Sequence, residues 1–148
     1  KKREDGGKQN KTETYVANVR EYNFVAIRDI FKDIYAKGVT CVYVERVHGR
    51  PGEGVSSVFN FGVGYGMLLA TLTCVGLPYV VVTPNAWTKH MLDGIPKTID
   101  TKDRTKLAAS RLFNLDLFIP DRCRTPHAGL VDATMIAMYG YKKETGVV

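Results

Sequence analysis

Two carboxylates stand where carboxylates are costly. Glu45 ends the strand-forming run VTCVYVE (residues 39–45), and Asp132 interrupts the apolar helical stretch GLVDATMIAMYG. In parallel α/β sheets, ligand chemistry gathers at the carboxyl ends of strands, which is where Glu45 lies. Leu130, Ala133, Ile136 and Ala137 give Asp132 a core-facing neighbourhood, and a carboxylate placed there needs a cation. A lysine or arginine is one candidate. The other is a divalent metal shared with Glu45, and hard oxygen ligands select Mg²⁺ or Mn²⁺. Two such ions about 4 Å apart, held by carboxylates, are suited to in-line phosphodiester hydrolysis.

A two-ion site of that kind usually takes four ligands, so further donors are sought near Asp132. On a helix, the positions three and four before it share its face. They are Gly129 and Ala128, and neither can bind a metal. His127, five before, is rotated by roughly 140° and joins the site only if the first helical turn is irregular. The metal ligands read from the chain are therefore Glu45 and Asp132. His127 is a conditional third, and Ala128 is an empty place.

A basic, glycine-rich loop follows Glu45. Arg46 and Arg50 can neutralise phosphates, and His48 can stack on an unpaired base. Gly49, Gly52 and Gly54 give the loop freedom. Lys89, Lys102, Arg104 and Lys106 extend a basic track, with Lys102 and Lys106 on one helix face. A surface turn and a solvated helix face are the plainer readings of the same residues. The net charge of +6 favours an anionic partner, nucleic acid being the commonest. Trp87 reads as a core anchor rather than a base-stacking residue.

Certain elements must position these groups. The 148 residues suit one domain, with 45% hydrophobic and 24% charged side chains. Residues 1–14 are polar and read as a flexible basic loop or arm, with 15–148 as the folded part. Cys41, Cys74 and Cys123 form no metal-ligand pair, and Cys41 and Cys74 read as core residues in a reducing compartment. No apolar run approaches the length of a membrane span without interruption, so no membrane association is expected. The N-terminus is too polar for a signal peptide. A helix is expected from Asn23 to Gly38, with Phe24, Ile27, Phe31, Ile34 and Tyr35 inward. The strand 39–45 is expected to be buried on both faces. Helix 56–75 follows, capped by Ser56 or Ser57 and carrying Gly62, Gly64 and Gly66, which ask for a closely approaching backbone. Strand 79–83 leads through Thr83-Pro84 into a short helix. Helix 102–114 is expected to face Leu107, Ala108, Leu112 and Phe113 inward, and a last helix begins at Thr125-Pro126. Alternation of this kind predicts a parallel α/β sheet flanked by helices. Two strands make a poor sheet, so an N-terminal portion is expected outside this chain.

The pieces VYVERV, FGVGYG, VVTPNAWTKHML, TKDRTKLAASRLF and HAGLVDATMIAMYGY, in this order and spacing, resemble the RuvC-type Holliday junction resolvases. The branch they are most similar to holds phage enzymes and the chloroplast junction resolvase. The resemblance covers roughly residues 20–143 and implies a single RuvC-like nuclease domain of ribonuclease-H-like fold: a mixed sheet flanked by helices, with its N-terminal strands outside this chain. It implies that Glu45 is the family's second acid and Asp132 its last. It further implies Mg²⁺- or Mn²⁺-dependent cleavage, with two ions, of symmetric strands at a four-way DNA junction by a homodimer. The setting would be the cytoplasm, that of a bacterial host for a phage protein, or an organelle. Phe59, Phe61, Tyr65 and the helix glycines are candidates for the dimer seam or for packing on the sheet. The chain departs from the family at two places. The family's first acid sits on an N-terminal strand that is absent here, and Ala128 stands where relatives tend to carry an acid or histidine. Ala128 reads as a substituted acid position, an inactivating replacement or a natural loss, so both departures bear on catalysis and not on binding. A broader flap or branched-DNA nuclease and a noncatalytic junction-binding protein are the alternatives.

Overall fold

The computed structural model describes residues 22–49 and 52–147; the expected arm over 1–14 and Arg50 lie outside them. The order is α1 (Phe24–Ala36), β1 (Val42–Glu45), α2 (Val55–Val75), β2 (Tyr79–Val82), α3 (Pro84–Met91), α4 (Thr101–Ser110), a 3-10 turn (Leu115–Phe118) and α5 (Ala128–Glu144). The strands pair in parallel, from Val42 opposite Tyr79 to Glu45 opposite Val82. Parallel neighbours need a long crossover, and α2 supplies it. Among the described residues the sheet has these two strands alone.

Side-chain alternation divides the molecule into two layers. Tyr43, Val80 and Val82 face one side, where Trp87, Met91, Leu92, Ile95, Phe118, Val131, Met135 and Ile136 form the larger core. Val42, Val44 and Tyr79 face the other, where Leu72 and Leu77 are buried and Phe31, Ile34, Leu68 and Leu69 are half-covered. Glu45 is two residues beyond Tyr43, so the pleat sends its side chain to the larger core's side.

Helix α5 is locked to β1 through Tyr43. Its ring lies against Gly140, where an added Cβ would overlap it, and meets Tyr139 edge-on at 6.3 Å between centroids. The phenol donates to Glu144 Oε1 at 2.5 Å. That bond, with burial and the negative charge of Glu144 behind it, pushes the Tyr43 pKa up to about 12. Eight residues back along α5, about 12 Å at the helical rise, is Asp132. Two residues forward along β1 is Glu45. The helix runs against the strand direction, so both steps lead to the same end of the sheet.

Several expectations need correction. Within β1 only Val44 is buried, so the strand is not covered on both faces. No residue of α1 is buried, and Tyr35 is exposed. Helix α2 is capped by Gly54 without a side-chain bond, not by Ser56 or Ser57. Helix α4 stops at Ser110, and Leu107 and Leu112 point to solvent while Ala108 and Ala109 take the core. The last helix starts at Ala128, two residues after Pro126. Cys74 is exposed. The length argument against a membrane span also fails: α2 has 21 residues and is long and apolar enough to cross a bilayer by length and composition. Its interruptions are uncharged, since residues 54–88 contain no Asp, Glu, Lys or Arg. Here α2 serves as the crossover between paired strands, with Leu72 alone fully buried.

Among the described residues no backbone comes close to the α2 glycines, contrary to expectation, and only Gly64 meets a side chain. A Cβ on Gly64 would meet the Tyr22 ring at 2.5 Å, whereas Gly62 and Gly66 face open space.

Candidate functional site

The site begins at the last rung of the sheet. Glu45 pairs in register with Val82, and Arg46 N–H continues the ladder by donating to the Val82 carbonyl at 2.6 Å. One residue later Thr83 caps α3, its hydroxyl oxygen accepting from Ala86 N–H at 3.3 Å, with Pro84 in the first turn. Helix α3 must therefore rise beside Glu45. Its Trp87, 3% exposed, donates Nε1–H to Glu45 Oε1 at 2.7 Å. Trp87 is the core anchor expected, and it also fixes one oxygen of the candidate ligand. A charge-assisted bond of this kind is worth about 1.5–3 kcal/mol.

Asp132 approaches from α5. Burial and the neighbouring negative charge of Glu45 push its pKa up, while the Thr105 hydroxyl and the Lys102 ammonium on α4 pull it down. Thr105 is buried, and its single hydroxyl proton has two acceptors, Asp132 and the Thr101 carbonyl at 2.9 Å. Glu45, Asp132 and Lys102, from three elements, thus lie near enough for their charges to act on one another. A raised carboxylate beside a second carboxylate is an arrangement that a shared cation relieves.

The remaining predicted residues are placed differently. His127 is the cap residue of α5, extended at φ −78°, ψ 119°, with no side-chain cap bond. Its backbone N–H donates to the Phe118 carbonyl at 2.8 Å. Its ring lies beside Gly129. Among the described residues no three His, Cys, Asp or Glu side chains cluster as metal ligands, so His127 does not complete a set with the two acids. Ala128 is the half-buried first residue of α5, one turn before Asp132. Arg46 and His48 are exposed and line a cleft of about 180 Å³ over Glu45, together with Val47, Glu53, Phe61 and Pro84. Lys106 forms an ion pair with Asp103 at 3.7 Å. Lys89 and Arg104 lie away from the acids, around a second cavity.

Sequence reasoning missed the bond from Trp87 to Glu45 and the buried Thr105. The first was within reach: a parallel register ending at Glu45, with Thr83-Pro84 directly after the neighbouring strand, puts the first turn of α3 next to that acid. Thr105 had no distinguishing signal, because a threonine in a polar helix is ordinary.

Two carboxylates suit a hard divalent cation that keeps several waters, since Mg²⁺ is commonly held by one or two protein carboxylates. Glu45 and Asp132 would hold it. A second ion needs donors beyond this pair.

No protein-family model and no curated protein matches this chain. Among solved structures, that of Thermus thermophilus RuvC matches with a TM-score of 0.55 and 19% identity, over 86% of this chain and 76% of that one. At this identity the likeness is one of fold. It shows an α/β, ribonuclease-H-like fold.

Proposed function

We propose that this chain is a structure-selective endonuclease domain that binds four-way DNA junctions and hydrolyses phosphodiesters with a divalent cation held by Glu45 and Asp132. The reading is carried by Glu45, which the strand register sets at the end of β1 with Trp87 bonded to one oxygen, and it is supported by the influence of the Glu45 charge on Asp132 of α5. The RuvC-like fold and the net charge of +6 support it. A bound Mg²⁺ or Mn²⁺ supplies water activation and neutralises charge on the phosphoryl and leaving oxygens. Trp87 holds Glu45 in one orientation. Lys102 offsets negative charge beside Asp132. Arg46 and His48 flank the cleft above Glu45, where a scissile phosphate enters. The chain acts as a homodimer, because two copies of one site match the two-fold symmetry of a junction.

One observation favours a second reading, a noncatalytic junction-binding protein. Ala128 occupies the place one turn before Asp132, and no third ligand joins the pair among the described residues.

A nicking assay on a four-way junction, a flap and a linear duplex with Mg²⁺ separates these readings. Paired symmetric nicks in the junction are the expected result. Flap preference identifies a broader branched-DNA nuclease. Tight junction binding without nicks, unchanged when Ala128→Asp is introduced, identifies the noncatalytic protein. Indifference to DNA structure overturns both.

A further inference from the structure

Helices α3 and α4 each turn a second face away from the acids, and those two faces enclose a cavity of about 500 Å³. From α3 and its C-cap come Asn85, Thr88, Lys89 and Leu92, at i, i+3, i+4 and i+7, hence one stripe. From α4 comes Arg104, two residues round from Lys102. The connecting loop adds Asp93 and Lys97. Three cations and one anion line the cavity, a surplus of two positive charges.

Arg104 is the unusual member. Its Nε is buried and, among the described residues, has no hydrogen-bond partner. Its Nη2 reaches the carbonyls of Leu92 and Ile95 only at 3.5 Å each, the outer limit of a hydrogen bond. A guanidinium carries five donors and keeps its charge, and leaving a buried donor unmade is costly. Arg104 therefore holds the loop after α3 with weak bonds; its Nε is out of solvent and does not face the cavity, so a ligand there would meet the outer part of the guanidinium, with Nε–H as a reporter of the group.

We propose that this cavity is a phosphate site, taking a tetrahedral oxyanion between Arg104, Lys89 and Lys97, and that its occupant is a backbone phosphate of a DNA arm. An arginine fork and lysine ammoniums are the groups that bind phosphate oxygens. The assignment to DNA rests on the junction-binding function proposed above, and the opposite faces of α3 and α4 then read one nucleic acid at two places. A free phosphate compound has the same chemistry, so the test separates the two sources.

In the first arm, inorganic phosphate is titrated into the full chain while the Arg104 Nε–H signal is followed by ¹H–¹⁵N NMR. A saturable shift is expected, about tenfold weaker in Lys97→Ala, which removes one charge-assisted contact at an exposed residue. No saturable shift overturns the site. In the second arm, junction binding is measured against salt concentration. Lys97→Ala is expected to reduce the slope of log affinity against log salt by about 1, the value of one phosphate contact. A saturable phosphate shift with an unchanged salt slope contradicts the DNA assignment and leaves a free phosphate compound as occupant. Wild-type chain that binds no junction overturns the proposed function instead, while the phosphate titration still decides the cavity.

Discussion

The two sides of the sheet are built to different standards. On the α5 side, Val131, Met135, Trp87, Leu92 and Ala109 are almost wholly out of solvent, and the acids stand at the edge of that closed core. On the α2 side, among the described residues, only Val44, Leu72 and Leu77 of the core cluster are buried, while Val55, Phe59, Phe61, Val63 and Met67 are exposed along one helix. The closed half suits the chemistry proposed above, and the open half presents apolar side chains to solvent. A site that must hold two carboxylates in place needs rigid neighbours, and α5 has them. An apolar helix with no charged residue is a poor water-facing surface, and the homodimer proposed above is one partner that could cover it.

Substitutions that treat the halves alike separate them most sharply. Met135→Ala, in the closed core, is expected to cost about 2–5 kcal/mol by urea unfolding, because the cavity it leaves cannot collapse fully. Phe59→Ala on α2 is expected to change monomer stability by less than about 0.5 kcal/mol. Equal costs would mean that α2 is covered in solution, and the Phe59→Ala cost would then depend on protein concentration.

Trp87→Phe keeps most of the packing and removes the donor to Glu45. A loss of about 1.5–3 kcal/mol is expected from unfolding curves, with weakened metal binding. Unchanged stability would mean that the bond does not hold the acid.

Glycines make a finer contrast. Gly140→Ala must displace the Tyr43 ring, and an overpacked site of this kind loses about 1–3 kcal/mol. Gly66→Ala meets open space inside a helix and is expected to stabilise the monomer by up to about 1 kcal/mol. Destabilisation at Gly66 would instead reveal a close partner on that face.

The smallest effect is a pH dependence. The folded pKa of Asp132 is raised, so its ionised form opposes folding. The stability associated with its protonated form is present below the ordinary carboxylate range and is lost as pH rises through the folded pKa. Asp132→Asn is therefore expected to be more stable than the parent near neutral pH, with the difference shrinking as pH falls. A difference that grows on acidification would reverse the sign assigned to this group.

Much of this arrangement was legible in the sequence. Asn23 and Thr83 announce helix starts, and both bond as caps. The apolar runs give the two strands, and the order of elements gives the parallel pairing. Glu45 and Asp132 stood out because one ends a strand and the other breaks an apolar stretch. Burial on the α2 side was not legible. Apolar residues such as Phe59 and Val63 read as core whether a sheet or another chain covers them, so periodicity cannot tell those cases apart. Arg104 was equally opaque: a basic residue on a polar helix looks solvated until the loop after α3 folds over it. His127 was limited by geometry that the helical repeat already supplied, and the cap position keeps it out of the pair.

The most direct measurement is calorimetric Mn²⁺ binding to the parent chain, Glu45→Gln and Asp132→Asn, with circular dichroism to verify folding. A shared cation predicts saturable binding to the parent and at least about a tenfold loss in each variant, the equivalent of about 1.4 kcal/mol. Folded variants that both bind Mn²⁺ with the parent's affinity would contradict a metal held between these acids.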